Sequence, residues 1–418
     1  MYSCSGEHAY LLMDLNNLNF NATAIIADPY PTYALLRENA PIFYHAASQM
    51  TFISSYEDVN VLLRDRRLGR QFSHVMTREE AGLPARRPEH EPFHRLNDNM
   101  LMDKEPPQHT RLRGLVQKAF TPRTVQALRP RIEEIAGALV ERLLAQEEVD
   151  LMEAFAVPLS VTVIAELLGV PQADRHRLRP WSRDIVAMYE LGGGHTAETG
   201  YRAVQATNEF SDYLRTLVRQ RRQTPRDDLL SALVAAEERG DQLSEEELIA
   251  TSILILNAGH EATVNAVSNG ILALAEHPKQ LALLRQKPDL IDTAVEEILR
   301  YDTPLPLFRR WVLREMTYKD VSFAKGEELA FLLGSANRDS ARFKNPDEFD
   351  VTRRDNPHLS FGMGVHYCLG APLARAELQI GLETILRRVR RLELAVEQPE
   401  RQNTFVFRGL KALPVRVG

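Results

Sequence analysis

A single cysteine in a glycine-rich loop near the C-terminal end most constrains what this 418-residue chain can fold into. Cys368 has Gly362 and Gly364 before it and Gly370 after it, and a helix-forming run over residues 373–389 follows at once. Glycines let the backbone pass close to a bulky group, and the free N–H groups of a helix N-terminus favour a thiolate. A thiolate held in this way suits one axial ligand of a haem iron.

The neighbouring residues decide between this interpretation and an inert buried thiol, which composition alone would favour. Phe361, Gly364, Cys368 and Gly370 follow the spacing Phe-x-x-Gly-x-x-x-Cys-x-Gly. This spacing resembles the haem-binding signature of the cytochromes P450 without departure. The resemblance implies that Cys368 ligates the iron of haem b, and that Phe361, Gly364 and Gly370 shape the loop around it.

Hydrophobic periodicity predicts a mainly helical protein. Apolar residues recur at helical spacing from residue 109 onward, and alternating patterns at 42–54, 305–333 and 405–417 predict strands. The predicted fold class is mainly α with minor β-sheets, as one domain over residues 1–418. The resemblance implies the cytochrome P450 fold, with haem between a long core helix and the cysteine loop.

Two segments give sharper local predictions. Ser244 and Glu247 form a capping-box pattern, which predicts a helix that begins there and runs to about Glu276. Residues 70–107 are polar and rich in proline, so we expect an irregular segment that is functional or mobile.

Charge and composition exclude several classes of protein. The net charge is −6 and basic residues are not gathered in one tail, so we expect no nucleic-acid partner. No run approaches the roughly 20 apolar residues of a membrane span, and the start has no signal-peptide pattern, so we expect no membrane attachment. Two cysteines, Cys4 and Cys368, without disulfide or zinc spacing indicate a reducing compartment, the cytoplasm.

The predicted core helix carries the segment AGHEAT at residues 258–263. A glycine inside a helix costs roughly 1 kcal/mol relative to alanine, and a glutamate among apolar residues is costly unless paired or hydrated. Their coincidence indicates a ligand pocket with a proton path. The segment resembles the oxygen-binding segment of the cytochromes P450 at Ala258, Gly259 and Glu261. The resemblance implies that Ala258 contacts the haem and that Glu261 relays protons.

The segment departs from the family pattern at one position. The alcohol that usually follows the acid is absent, since residue 262 is alanine. Thr263 cannot simply replace it, because one residue turns a helix by about 100° and directs the hydroxyl elsewhere. We expect a substrate hydroxyl or a water chain from Glu261 to supply the protons; the alternative is leaky oxygen activation that releases peroxide. Ala262 and Thr263 complete the predicted catalytic segment with Glu261.

Basic residues at three places fit the two propionates of a haem. His109 and Arg113 share one helix face at i, i+4, and their spacing resembles the P450 His-x-x-x-Arg. The resemblance implies two further propionate contacts, Arg309 and His366, with Arg310 as the alternative to Arg309. Arginine suits bidentate recognition of carboxylates.

Glu297 and Arg300 resemble the Glu-x-x-Arg pair of the cytochromes P450. At i, i+3 they share a helix face, a pattern that alone is common on protein surfaces. The resemblance implies a network with a third residue, assigned to Arg353, that locks the scaffold behind the haem.

The resemblance implies a haem-thiolate monooxygenase that hydroxylates or otherwise oxidises a lipophilic small molecule with O2. Residues 362–364 begin like a dinucleotide motif, but residue 367 is tyrosine and no strand–helix unit surrounds it, so we expect no nicotinamide site. Electrons must then come from a separate ferredoxin- or flavodoxin-type partner with its reductase. The expected docking cations are Arg111, Lys118, Arg123 and Arg375.

Three alternatives stay open on the sequence. A peroxide-dependent enzyme would share the haem site; Glu261 argues against it, and the missing alcohol at position 262 argues for it. A non-catalytic haem-thiolate ligand-binding protein would bind ligands without forming product. An ordinary enzyme with a nucleophilic cysteine would bind no haem.

Overall fold

The computed structural model describes residues 15–190, 196–238 and 243–418, and Cys4 lies outside these ranges. Besides short 3-10 and π-helical turns, the α-helices of this part of the chain are α1 Thr23–Ala27, α2 Tyr30–Asn39, α3 Tyr56–Leu62, α4 Glu91–Asn99, α5 Gln108–Ala119, α6 Pro122–Leu144, α7 Val157–Leu168, α8 Leu178–Val186, α9 Ala197–Gln223, α10 Leu229–Glu238, α11 Glu245–Glu276, α12 Pro278–Gln286, α13 Ile291–Tyr301, α14 Leu333–Ala336 and α15 Ala371–Arg388. Its strands are β1 Ile42–His45, β2 Met50–Ile53, β3 Leu68–Gly69, β4 Glu148–Asp150, β5 Leu307–Val312, β6 Met316–Tyr318, β7 Val321–Phe323, β8 Glu328–Leu332, β9 Leu392–Leu394 and β10 Pro414–Val417. Within the described ranges, no helix combines the length and the apolarity that crossing a membrane would need.

Helix α11 is the long core helix that the sequence predicts. The Ser244 side chain accepts a hydrogen bond from Glu247 N at 3.2 Å, and the Glu247 carboxylate accepts one from Ser244 N at 2.9 Å. This capping box and the end at Glu276 confirm the predicted bounds. Most of the helix is buried in the main hydrophobic core, since apolar residues occupy nearly all its sides.

Residues 70–107 are more ordered than their composition predicts, because α4 lies within them. Pro92 stands in the first turn of α4, where the missing N–H is tolerated, and Phe93 and Leu96 are buried one turn apart. The prediction of an irregular segment is therefore wrong over α4, where a short amphipathic pattern outweighs the prolines.

The main sheet has five strands in the order β1-β2-β8-β5-β3. Strands β1 and β2 form the predicted antiparallel hairpin, and β2 pairs with β8 in parallel. Strand β5 runs antiparallel to β8, with Arg309 opposite Ala330 and Arg310 opposite Leu329. Successive side chains of a strand point to opposite faces, so the two arginines leave the sheet on different sides. Two smaller sheets have the orders β4-β10-β9 and β6-β7.

The C-terminal segment forms less strand than its alternating pattern predicts. Only β10 lies within the predicted range of 405–417. Gln402 N–H donates to Gly409 O at 3.0 Å, and this bond folds the residues before β10 back on themselves. The segment therefore forms a turn where the pattern predicts a strand.

Helices α7, α11 and α15 pack against one another. A Cβ at Gly259 of α11 would lie 2.6 Å from Ile164 Cγ1 of α7, and one at Gly381 of α15 would lie 3.0 Å from Leu159 Cδ2 of α7. These glycines permit a close approach that a larger residue would prevent. The packed layer leads directly into the cysteine loop, which α15 follows in the chain.

Candidate active site

The cysteine loop is held by its own backbone. Cys368 N–H donates to Phe361 O at 3.0 Å, and this bond closes the loop. Gly362 and Gly364 have φ of 67° and 73°, in the left-handed region that favours glycine. Gly370 has φ of −80° and needs no such freedom, but a Cβ there would lie 3.9 Å from Cys368 Sγ. Of the predicted motif residues, Gly370 lies beside the sulfur, whereas Phe361 and Gly364 hold the backbone of the loop.

Cys368 lies just before α15, as predicted, and is half-buried. The N–H groups of Gly370 and Ala371 bond to the sulfur, and Arg113 and Arg375 add positive charge nearby. Burial nevertheless raises the pKa of the Cys368 thiol, and these groups offset only part of the increase. The N–H groups at the start of α15 therefore favour the thiolate, as expected, but burial has the larger effect. A metal cation at the sulfur would stabilise the deprotonated form.

Two histidines and a glutamate form a buried cluster beside the loop. The rings of His109 and His366 lie 4.4 Å apart, and His366 Nε2 is 3.1 Å from Glu105 Oε1. Burial, and then the neighbouring His366, lower the pKa of His109 to about 4, so this imidazole is neutral at pH 7. Glu105 also accepts a hydrogen bond from Arg70 N at 2.5 Å. Glu105 is not predictable from sequence, because a lone glutamate before two prolines carries no periodic pattern.

Arg113 follows His109 by one helical turn on α5, as the i, i+4 spacing predicts. Its guanidinium donates to Tyr367 O at 2.8 Å, which brings it to the residue before Cys368. The structure therefore brings the predicted pair to the cysteine loop.

The structure separates Arg309 from this loop and brings Arg310 towards it. Arg309 Nη1 pairs with Glu328 Oε1 at 3.1 Å. Arg310 is 3% exposed and lies on the face of β5 that carries Phe308, whose ring would lie 2.6 Å from a Cβ at Gly362. Burial lowers the pKa of Arg310 to about 9. Strand alternation thus places Arg310, the predicted alternative, on the face towards the cysteine loop and Arg309 on the other face, and the propionate contact of either residue stays a prediction.

Helix α11 has one accessible stripe along its middle turns. The stripe residues recur at three- and four-residue intervals, which places them on one face of the helix. Ala258 is the most exposed of them. The stripe consists of Leu254, Ile255, Ala258, Gly259, Glu261 and Ala262. The structure therefore brings the predicted residues Ala258, Glu261 and Ala262 together.

Thr263 lies on the buried side of α11. It is 5% exposed, and its Oγ1 donates to Gly259 O at 3.1 Å. This position agrees with the expectation that Thr263 cannot replace an alcohol at position 262. The missing side chain of Gly259 leaves room for Ile164 of α7.

Glu261 lies at the edge of a cavity of about 500 Å³. Its Oε1 is 3.2 Å from His260 Nε2. Burial acts to raise the pKa of Glu261, but His260, Arg179 and Arg183 outweigh this effect and hold the pKa below its usual value. Glu261 is therefore ionised at neutral pH and able to accept a proton. Other residues that line the cavity include Glu190, Gln402 and Phe405.

Glu297 and Arg300 form a fully buried ion pair on α13, with 2.7 Å between Oε2 and Nε. Arg353 Nε lies 3.1 Å from the same carboxylate oxygen, and Asp350 N donates to Glu297 Oε1 at 2.9 Å. The predicted network is confirmed. A buried carboxylate is stable only with this many donors, so the network fixes α13 to the segment that leads into the cysteine loop.

The donor set around the loop fits a haem. Cys368 offers a thiol with two backbone N–H donors. Burial and the charge of Arg310 lower the pKa of His366, which places this guanidinium beside the histidine cluster. Within the described ranges, neither Arg113 nor Arg310 forms an ion pair with a carboxylate. An unpaired guanidinium in such surroundings is costly, and the two propionates of a haem would provide the missing anions.

Comparisons with known proteins agree with a haem site at the cysteine loop. The family model described as Cytochrome P450 matches residues 196–412. The chain is 40% identical over 398 residues to the polyketide biosynthesis cytochrome P450 PksS of Bacillus subtilis (strain 168), covering 93% of this chain and 95% of the relative. It is 38% identical over 401 residues to the vitamin D(3) 25-hydroxylase of Pseudonocardia autotrophica, covering 94% of each. The crystal structure of P450BioI in complex with hexadec-9Z-enoic acid ligated acyl carrier protein superimposes with a TM-score of 0.88 and 35% identity, over 95% of this chain and 99% of that one.

The helical fold and the thiol site define the class as haem-thiolate proteins. The chain belongs to the cytochrome P450 family. Its function is that of a haem-thiolate monooxygenase with haem iron as the cofactor, and the predicted fold class is confirmed. Family membership excludes an ordinary enzyme with a nucleophilic cysteine.

Proposed function

We propose that Cys368 is the axial ligand of the haem iron in this monooxygenase. The observation that carries the assignment is the half-buried sulfur, which accepts the N–H groups of Gly370 and Ala371 at the start of α15. These donors reduce the negative charge on a coordinated thiolate and hold the sulfur in one position. When bound, the haem supplies the activation of O2.

The remaining site residues orient the cofactor and handle protons. His109, Arg113, Arg310 and His366 hold the two propionates, since they present neutral and cationic donors beside the cysteine loop. The accessible stripe of α11 faces the bound substrate. The small side chain of Ala258 leaves room there for the haem and the substrate. Glu261 carries protons from solvent towards this face.

The reduced, carbon monoxide-bound absorption spectrum tests the axial ligand. We expect a Soret band far to the red for the wild type and for the matched control Cys4→Ser, because both keep the Cys368 thiolate. We expect Cys368→Ser to lose this band. A short-wavelength band in the wild type, or a red-shifted band in Cys368→Ser, would contradict the assignment.

A separate ferredoxin- or flavodoxin-type protein, with its reductase, supplies the electrons to this enzyme in the cytoplasm. Support comes from the sequence, in which no dinucleotide motif was found. Of the predicted docking cations, Arg111 and Arg375 each pair with a glutamate, at 2.5 and 2.7 Å, and Arg123 is exposed. The side chain of Lys118 lies outside the described part of the chain. Turnover with a purified ferredoxin or flavodoxin and its reductase, compared with reductase alone, tests this partner.

The substrate is a lipophilic small molecule. One relative is named for polyketide biosynthesis and another as a vitamin D(3) hydroxylase, and the structural neighbour was crystallised with a fatty acyl chain on acyl carrier protein. Leu254 and Ile255 on the stripe of α11, and Phe405 at the cavity, offer apolar surface for such molecules. Titration with fatty acids, sterols and macrolides, followed through the Soret band, tests the substrate class. A non-catalytic ligand-binding protein would give spectral shifts without product.

Ala262 keeps the peroxide-dependent alternative open to test. The accessible stripe of α11 presents an alanine where the family has an alcohol, so proton delivery depends on other groups. We expect Ala262→Thr to raise the fraction of electrons recovered in product, and the isosteric control Ala262→Val to leave it unchanged or lower it. Equal coupling in the wild type and Ala262→Thr would show that this position does not matter. Wild-type turnover with hydrogen peroxide alone would favour the peroxide-dependent enzyme.

A further inference from the structure

One asparagine of the core helix has no hydrogen-bond partner in the protein. Asn257 on α11 is 6% exposed, and neither its Nδ2 nor its Oδ1 forms a hydrogen bond within the described ranges. A carboxamide can donate two hydrogen bonds and accept two, and burying it without partners costs free energy. Native proteins depart from full hydrogen bonding in this way at functional sites, so the side chain needs a functional explanation.

A second buried asparagine on the same helix shows what a structural role requires. Asn269 Nδ2 donates to Asp302 O at 3.2 Å and to Arg408 O at 2.9 Å, and its Oδ1 accepts a hydrogen bond from Arg401 Nη1 at 2.7 Å. These bonds attach α11 to the end of α13 and to the C-terminal segment. Asn257 makes no such attachment in the described part of the chain, so helix packing does not explain its polar side chain.

Asn257 lies beside the accessible stripe of α11. Leu254, one turn before it, and Glu261, one turn after it, belong to that stripe and share its side of the helix. Glu261 lines the cavity of about 500 Å³. The side of α11 that carries the unpartnered carboxamide therefore borders the cavity.

Helix α8 brings a second unpartnered polar group to the same place. This helix packs against α11, and its residues Arg183 and Val186 line the cavity. Ser182, which precedes Arg183, is 1% exposed, and its hydroxyl forms no hydrogen bond with any described residue. Two buried polar groups without protein partners thus lie on the two helices that meet beside the cavity.

The chemistry of these two groups suits an uncharged oxygen atom of a ligand. A carboxamide and a hydroxyl carry no charge, and each can both donate and accept, so they pair with a carbonyl or a hydroxyl. Leu254 and Ile255 on the adjoining stripe suit a hydrocarbon framework. A site that hydrogen-bonds an oxygen group discriminates strongly against an analogue without it, because its own buried polar groups are then left unpaired.

We propose that Asn257 is a specificity-determining residue that binds a carbonyl or hydroxyl oxygen of the substrate, with the Ser182 hydroxyl as a second partner. The proposal rests on the proposed function of this site and narrows its substrate class to lipophilic molecules that already carry an uncharged oxygen group. The hydrogen bond holds that oxygen at a fixed position along α11 and so selects the carbon that is oxidised. Plain hydrocarbon chains leave Asn257 unpaired and bind weakly.

Titration of the haem-loaded protein with 4-phenylimidazole and its three hydroxyphenyl analogues tests the hydrogen bond. The imidazole binds the iron and shifts the Soret band, which anchors every probe in the same cavity. We expect at least one hydroxyl analogue to lose about tenfold in affinity, relative to the parent compound, in Asn257→Leu. The control Ser268→Ala removes a buried hydroxyl of α11 that donates to Val264 O at 2.8 Å, and it should keep the wild-type ratios.

The two ways of failing give different results. Wild-type ratios for all three analogues in Asn257→Leu, with the red-shifted carbon monoxide band intact, would overturn the proposal and show that Asn257 holds water only. A wild type without that band would instead refute the proposed function. If leucine prevents haem uptake, Asn257→Ala provides the same comparison. An unchanged preference in Ser182→Ala would contradict the assignment of Ser182.

Urea unfolding without added ligand separates a binding role from a structural one. We expect Asn257→Leu to unfold at the same urea concentration as the wild type or a higher one, because it removes a buried polar group that has no protein partner. The matched control Asn269→Leu breaks three hydrogen bonds and should unfold at a lower concentration. Equal destabilisation by the two substitutions would show that Asn257 is structural and would contradict the proposal.

Discussion

At the scale of single residues, two adjacent arginines have opposite environments. Arg309 lies on one face of β5 and pairs with Glu328 at 3.1 Å. Arg310 lies on the other face, buried, and has no carboxylate partner within the described ranges. A buried cation of this kind is stable when a bound anion completes its surroundings, so of these two arginines Arg310 is the one that needs an anion.

This difference predicts which arginine retains the haem. Charge-assisted hydrogen bonds contribute roughly 1.5–3 kcal/mol, so Arg310→Leu should lose haem about ten- to a hundredfold faster than the wild type. Arg309→Leu is the matched control and should lose haem at close to the wild-type rate. Transfer of haem to excess apomyoglobin measures both rates. Faster loss from Arg309→Leu than from Arg310→Leu would contradict the assignment.

The site residues that sequence could predict are those with short-range spacing. Cys368 with its loop, and His109 with Arg113, depend only on residues within a few positions of one another, and the structure brings them together. The choice between Arg309 and Arg310 requires the register of β5 in the sheet, and a motif does not contain it. The role of Gly259 was also beyond sequence, because its neighbour Ile164 comes from a distant helix.

At the scale of elements, helices with strong periodicity and caps were the most predictable. The bounds of α11 follow from Ser244 and Glu247, and the β1–β2 hairpin follows from local alternation. Helix α4 was not predicted, because prolines dominate the composition around it. The pattern at 405–417 predicts a strand, but the residues before β10 form a turn. Tertiary contacts decide the secondary structure of such short segments, whereas the periodicity of a long segment is enough to predict its secondary structure.

The network on α13 predicts a strong effect of one substitution. Glu297→Ala leaves Arg300 buried without its carboxylate, and breaking such a pair typically costs about 3–5 kcal/mol. We expect little folded, haem-loaded protein from this variant, measured as haem absorbance per milligram after purification. The control Glu393→Ala removes an exposed partner of Arg391 and should change little. Normal haem incorporation in Glu297→Ala would refute the structural role.

At the scale of the whole molecule, Asp302 joins three distant parts of the chain. Tyr30 Oη donates to Asp302 Oδ1 at 2.7 Å, and Arg401 Nη2 lies 2.8 Å from Oδ2. Arg408 Nε donates to Oδ1 as well. The N-terminal helices, the end of α13 and the C-terminal segment thus share one buried carboxylate. This link agrees with one domain over residues 1–418, which stays a prediction; a single cooperative unfolding transition would support it.

Asp302 also predicts how stability depends on pH. Burial acts to raise the pKa of Asp302, but Arg401 and Arg408 outweigh it and hold the pKa far below its usual value. An unfolded aspartate titrates near pH 3.9, so the stabilisation is fully present above about pH 4 and is lost as pH falls further. We expect Asp302→Asn to lower the free energy of unfolding at pH 7 by about 3–5 kcal/mol and to weaken the acid dependence.

Urea unfolding between pH 7 and pH 3 measures both effects. The control Asp355→Asn removes an exposed partner of Arg342 and should leave the stability and its pH profile nearly unchanged. If the free energy of unfolding depended on pH in the same way in the wild type and in Asp302→Asn, Asp302 would not be the source of the acid dependence.

The glycines of the cysteine loop limit where this enzyme can be diversified. A side chain at Gly364 would meet Leu63 O at 2.5 Å, and one at Gly362 would meet the Phe308 ring at 2.6 Å. Substitutions there strain the backbone as well as the packing, so a mutant library directed at this loop would yield mostly unfolded clones. Residues 402–407 form a turn beside the cavity, and in this turn only Phe405 is buried, where its ring packs against Phe20. A search for new substrate preferences should therefore randomise that turn, keep Phe405 and leave the loop unchanged.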